Sequence, residues 1–164
     1  MNKNRPTIQH LALACKHVDE LIENGVSENL AIRTLELFAD VYAKIAHGGA
    51  STPHHVGQVP IAQWSVEARQ HHIRNPNTPP RSYLRVEHGT PRRAFARKVM
   101  ELYRSDNLSD QTMQDLSTRF WKLAVITLEE DTRLNKVARS KSFDTPDERW
   151  REAGIVFEAA VNPH

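Results

Sequence analysis

The chain has 164 residues, of which 39% are hydrophobic and 26% are charged, and its formal net charge is only +2. This length predicts one compact unit with a sizeable core, and so small a net charge does not by itself indicate nucleic-acid binding. The single cysteine, Cys15, excludes an intramolecular disulfide and a cysteine-based zinc site. No apolar run approaches the ~20 residues of a membrane span and the first residues lack a signal-peptide core, so we expect a cytoplasmic protein without a membrane partner.

The start of the chain predicts two helices joined by a few residues. In the first, apolar residues recur at helical spacing over residues 8–22, and Gly25 marks the end. Ser27 is placed to cap the second helix, whose apolar positions repeat over 31–45 until Gly48 ends it. Helices with so short a connection are expected to form an antiparallel hairpin.

A loop-like stretch and a proline-rich linker follow this hairpin. Between them, residues 61–72 (IAQWSVEARQHH) are able to form a helix of about three turns. Residues 73–81 (IRNPNTPPR) are the linker. We therefore divide the chain into a helical region over 1–80, which ends in the linker, and a mixed, mostly helical region over 81–164.

The second region contains the only two runs typical of strands, SYLRVEH over 82–88 and KLAVIT over 122–127. Residues that favour a helix start also recur: Thr90 with Pro91, Ser109, Thr127 with Glu130, and Thr145 with Pro146 and Glu148. The expected fold is mainly α, an N-terminal helical hairpin followed by a helical C-terminal half with a minor two-stranded β element. The last residues, IVFEAAVNPH, favour neither a strand nor a helix.

The first β-like run ends in an acid–histidine pair, Glu87–His88, just before Gly89-Thr90-Pro91. A histidine near its natural pKa can deprotonate water, and a carboxylate can hold a divalent cation that stabilises a leaving oxygen. Adjacent strand residues point to opposite faces, so the pair shares a site only if the strand ends or kinks there. The following glycine and proline are expected to supply that break.

Over Arg81–Asn135 the sequence resembles the HNH, or ββα-metal, nuclease family. In that family a strand ending in an acid–histidine pair is followed by a second strand and a metal-binding helix, as in LAVITLEEDTRLN here. The resemblance implies that His88 is the general base and that Glu87 and Asn135 bind Mg²⁺ or Mn²⁺. Asp131, one helical turn before Asn135, is a second ligand candidate.

Three departures from the family pattern are visible in the sequence. Two predicted helices replace the short loop between the strands, and Asp131 and Asn135 stand where the final helix usually carries histidines. No paired cysteines brace the fold. A degenerate site is therefore an alternative to an active one.

Basic residues are concentrated from Arg81 to Arg104. The candidates for phosphate contacts are Arg81, Arg85, Arg92, Arg93 and Arg97. The alternative is a solvated helix face.

Histidine doublets and tryptophans are further candidates with simpler explanations. His54–His55 and His71–His72 are able to chelate a metal, but histidine doublets in loops are more often solvated. Trp121 and Trp150 are expected in the core rather than stacked on bases.

Two functional hypotheses follow. The first is a metal-dependent nucleic-acid hydrolase of HNH-like type, an endonuclease, with nucleic acid as its partner. The second is a non-enzymatic helical binding or inhibitor protein that docks on a macromolecule through its basic patch.

Overall fold

The computed structural model describes residues 5–49 and 62–159. The described chain is mainly α-helical with a small mixed sheet, which confirms the expected fold class. In chain order its elements are α1 (Ile8–Glu23), α2 (Glu28–Ala31), α3 (Arg33–Ala46), β1 (Gln63–Trp64), α4 (Val66–Arg74), β2 (Leu84–His88), α5 (Arg92–Arg104), α6 (Asp110–Phe120), β3 (Leu123–Thr127), α7 (Leu128–Ala138) and α8 (Pro146–Glu152).

The chain divides into two compact units, each built from two separate stretches. Unit 1 comprises Met1–Thr52 and Thr90–Trp121, and unit 2 comprises Pro53–Gly89 and Lys122–His164. Both units therefore draw on residues from either side of residue 80.

Unit 1 is helical and begins with α1, whose end was correctly predicted. The stripe Leu11, Cys15 and Val18 is fully buried, and the chain leaves α1 at Gly25, whose φ of +89° favours glycine. The second helix expected after Ser27 is interrupted at one residue. Residues 28–31 form α2, α3 begins at Arg33, and Ile32 between them keeps helical dihedral angles (φ −62°, ψ −25°). The Ser27 side chain makes no capping bond.

Helix α5 starts one residue later than predicted. Thr90 was expected as the N-cap, but Pro91 occupies that position, with an extended ψ of 140°. The Pro91 carbonyl accepts the first helical hydrogen bond, from Phe95 N–H at 3.0 Å. Helix α6 begins as predicted at Ser109, whose hydroxyl accepts from Thr112 N–H. Trp121, at the end of α6, is buried as expected.

Unit 2 contains the sheet, in the order β1-β3-β2. Both predicted strands are confirmed, and β2 pairs antiparallel with β3 from Leu84↔Thr127 to His88↔Leu123. The sequence did not predict a third strand. Gln63–Trp64 pairs parallel with β3, although a helix was expected over these residues. Ser65 then caps α4, accepting from Ala68 N–H at 3.0 Å. The helix expected over 61–72 is thus correct only from Val66 onward.

Helices cover both faces of this sheet. On one face, α4 contributes Ala68 to a cluster with Leu84 and Val125. On the other, α7 and α8 contribute Leu134 and Trp150 to a cluster with Ala124 and Ile126 of β3. Alternation along β3 directs Val125 to one side and its neighbours to the other.

The two helices on the second face begin as predicted. The Thr127 hydroxyl accepts from Glu130 N–H at 3.1 Å, and the Glu130 carboxylate accepts from Thr127 N–H at 2.8 Å. This capping box is buried, since Glu130 is only 1% exposed. Thr145 caps α8, which brings Trp150 into the core as expected.

The helices in the part of the chain that the structure describes are all too short or too polar to cross a membrane.

Candidate functional site

Glu87 lies in β2, and its carboxylate is held by Arg149 of α8. Arg149 Nη1 donates to Glu87 Oε1 at 2.7 Å, and the two side chains are only 10% and 20% exposed. A charge-assisted hydrogen bond of this length stabilises the ionised carboxylate. Glu87 is therefore the partner of a largely buried ion pair.

The same guanidinium nitrogen also binds the end of β2. Arg149 Nη1 lies 2.9 Å from the carbonyl oxygen of His88 and 3.1 Å from that of Gly89. Arg149 Nε, in contrast, is buried without a hydrogen-bond partner. The guanidinium group of Arg149 thus binds three oxygen atoms at the end of β2. This arrangement is structural and does not provide a site for a second cation.

Opposing effects set the pKa of Glu87. Burial raises it above its usual 4.5, while the charge and hydrogen bond of Arg149 and the nearby His88 lower it, and the net shift is upward. The carboxylate of Asp131 adds a small upward effect. The charges of His88 and Asp131 therefore both act on Glu87.

His88 lies on the opposite face of the sheet from Glu87. Glu87 pairs with Ala124, which belongs to the core beneath α7 and α8, and the next residue in an unbroken strand points the other way. The ladder continues past His88, since Gly89 N–H donates to the Lys122 carbonyl at 2.8 Å. The expected kink therefore does not fall at the pair, and strand alternation directs the two side chains to opposite faces of the sheet.

The predicted ligands on α7 differ in exposure. Asp131 is half-buried, and Asn135, one turn later, is exposed. Within residues 5–49 and 62–159, no group of three or more His, Cys, Asp or Glu side chains is arranged to hold a metal ion. The Mg²⁺ or Mn²⁺ site stays a prediction, for which Glu87, Asp131 and Asn135 are the available donors.

The histidines of α4 contact aromatic residues of unit 2. His72 Nδ1 lies 3.0 Å from the Tyr83 hydroxyl, and the His71 ring stacks on Tyr83 with centroids 4.7 Å apart. His54 and His55 lie outside the described residues.

Two of the predicted phosphate-binding arginines bind carboxylates of unit 1. Arg93 of α5 donates to Glu36 at 2.7 Å, and Arg97 donates to Glu28 at 3.1 Å. Arg92, also in unit 1, is exposed, as are Arg81 and Arg85 of unit 2. The basic run in the sequence is therefore partly neutralised where it lies on α5.

A groove on unit 1 was not predicted from the sequence. It has a volume of about 820 Å³ and runs between α1 and α3. Its apolar lining is Pro6, Leu13, Ala14, Phe38, Val41 and Ile45. We call it the α1–α3 groove. Leu13 is 65% exposed, although it belongs to a helix with a complete buried stripe.

The sequence carries one signal for this groove. Leu13 falls out of phase with the stripe of Leu11, Cys15 and Val18, so it cannot pack in the same core. Phe38 and Ile45, which belong to the apolar repeat predicted over 31–45, are only half-buried. An out-of-phase leucine is common on protein surfaces. Only the structure reveals that Leu13 lines a groove together with residues of α3.

Comparison with known proteins provides no further constraint: no family model matches the chain, and no curated protein or solved structure is significantly similar to it. The function is therefore inferred from the residues and their contacts.

Proposed function

We propose that this protein is a non-enzymatic binding protein, cytoplasmic as its composition predicts, that docks on a protein partner through the α1–α3 groove. The observation that carries this proposal is the exposure of Leu13 beside the half-buried Phe38 and Val41. Exposed apolar residues grouped in a concave surface are typical of protein–protein contacts.

The groove is a better docking surface than the basic patch. Arg93 and Arg97 already bind carboxylates of their own unit, so a phosphate or acidic ligand would have to displace Glu36 and Glu28. The apolar lining of the groove requires no such exchange, because docking there removes apolar surface from water.

Selection of peptide ligands tests the proposal. A displayed library of helical peptides is panned on the full chain, and recovered peptides are measured against Leu13→Asp and Val41→Asp variants. The matched control is Leu30→Asp, which changes a leucine that is 57% exposed and lies outside the groove lining. We expect the two groove variants to lose binding and the control to keep it. Recovery of no ligand, or equal binding by all variants, would overturn the proposal.

A metal-dependent nucleic-acid hydrolase is the second candidate. The observation that favours it is the order β2–β3–α7, with the charges of His88 and Asp131 both acting on the pKa of Glu87. The bond from Arg149 to Glu87 and the orientation of His88 disfavour it. Its test is incubation of plasmid with Mg²⁺ or Mn²⁺ and either the protein or its His88→Ala variant. Cleavage by the unchanged protein alone would establish it, and no cleavage, or equal cleavage by both, would exclude it.

A further inference from the structure

We infer that the occupant of the α1–α3 groove is an amphipathic helix of a partner protein, with carboxylate side chains beside its apolar stripe. This inference rests on the proposed function and adds the chemistry of the ligand. It follows from the length of the groove and from the charges on its rim.

The residues that line the groove have the spacing of one helix face on each side. On α1 the groove residues His10, Leu13, Ala14 and His17 follow an i, i+3, i+4, i+7 pattern, and on α3 Phe38, Val41 and Ile45 follow i, i+3, i+7. At ~1.5 Å per residue, each stripe extends over ~10 Å, which matches two turns of a helix laid along it. A peptide that binds as a β-strand would instead need a free strand edge, which the helices α1 and α3 do not supply.

The rim of the groove carries two side chains that are positively charged at neutral pH, Arg5 and Lys16, against a single acid, Glu20. Lys16 Nζ lies 3.4 Å from the Glu20 carboxylate, so these two charges offset each other and Arg5 supplies the excess positive charge of the rim. A ligand with acidic flanks therefore finds complementary charge, whereas a basic helix is repelled.

Three synthetic helices test this inference. They share one apolar stripe and carry glutamate, glutamine or lysine at the flanking positions, and fluorescence anisotropy measures their binding to the full chain. We expect the glutamate helix to bind about tenfold more tightly than the glutamine helix, and the lysine helix to bind more weakly still. Added salt is expected to reduce these differences.

Charge reversal provides the matched variant. Arg5→Glu with Lys16→Glu is expected to invert the order of the glutamate and lysine helices, while Leu30→Asp leaves it unchanged. The glutamate and glutamine helices could bind equally well to the unchanged protein, with both losing binding in the Leu13→Asp variant. That result would overturn the inference that the ligand is acidic and leave the proposed function standing. No binding of any helix together with no ligand from the library would overturn both.

Other occupants give different results. Self-association that Leu13→Asp abolishes would identify a second copy of this chain, and binding to anionic lipid vesicles but to no helix would identify a membrane surface. Either result overturns the inference.

Discussion

Arg149 bonds to three oxygen atoms at the end of β2, so its removal tests how much of unit 2 depends on one cation. In an Arg149→Met variant the Glu87 carboxylate stays largely buried without its partner. We expect the free energy of unfolding to fall by about 3 kcal/mol near neutral pH, because breaking a buried pair leaves an uncompensated charge. Urea denaturation measures the loss.

The second substitution Glu87→Gln distinguishes charge from packing. In the double variant no buried carboxylate remains, so part of the lost stability is expected to return. Acidification should also restore part of the stability of the Arg149→Met variant. Burial raises the pKa of Glu87 above 4.5, and the folded state therefore gains relative stability as pH falls towards that value. A double variant as unstable as Arg149→Met would mean that the two carbonyl contacts dominate.

His47 gives unit 1 a separate dependence on pH. Its ring stacks on Trp121 with centroids 5.6 Å apart, its Nε2 is buried without a hydrogen-bond partner, and burial lowers its pKa from 6.5. Below that value the unfolded chain takes up a proton that the folded chain resists, so stability falls on acidification. Urea midpoints between about pH 7 and about pH 5.5 should shift less in His47→Phe, which keeps the stack. Equal shifts would exclude His47 as the cause.

At the level of elements, Gly89 allows α8 to approach the end of β2. A Cβ atom there would lie 2.5 Å from Pro146 Cβ and 2.8 Å from the Trp150 ring. We expect Gly89→Ala to lower the free energy of unfolding by about 1–3 kcal/mol through overpacking. Thermal denaturation measures this, and Trp150→Phe, which removes the clashing ring atoms, should reduce the added cost of the alanine. Additive losses in the double variant would contradict a direct clash.

In the sequence, Gly89 was important for a different reason, as part of an expected break in the strand after Glu87–His88. Local signals were reliable at several helix starts, since Thr127 with Glu130 and Thr145 both cap helices as expected, but not at Ser27 or Thr90. They failed for β1, because its pairing with Ala124 and Val125 joins residues far apart in the chain. The close approach of α8 to Gly89 is likewise a tertiary effect, which no local pattern contains.

At the level of the molecule, the inserted helices α5 and α6 were predicted as elements, but their neighbours were not. Both pack in unit 1, α5 against α1 and α3 and α6 against α3 and α5, although they lie between the two long strands in sequence. The three acid partners of α5 arginines are 57, 69 and 85 residues away along the chain. A charge run read from the sequence therefore overstates the basic surface, because the fold supplies its counter-charges.

This neutralisation predicts how the whole chain behaves towards nucleic acid. We expect weak binding of duplex DNA at physiological salt, because Arg93, Arg97 and Arg104 already hold Glu36, Glu28 and Asp19. Changing these acids to Glu36→Gln, Glu28→Gln and Asp19→Asn should raise DNA affinity. It should also steepen the slope of log affinity against log salt by up to about 2.7, since each freed arginine that neutralises a phosphate contributes about 0.9.

The matched control changes three acids of unit 1 for which the structure records no arginine partner: Glu23→Gln, Glu101→Gln and Asp115→Asn. It alters net charge equally but frees no arginine, so its affinity should rise less and its slope should stay near that of the unchanged protein. Anisotropy with labelled DNA over a salt series measures both quantities. If the unchanged protein already showed the steep slope, the arginines would freely exchange their carboxylate partners for DNA phosphates. The basic patch would then compete with the groove as the docking surface.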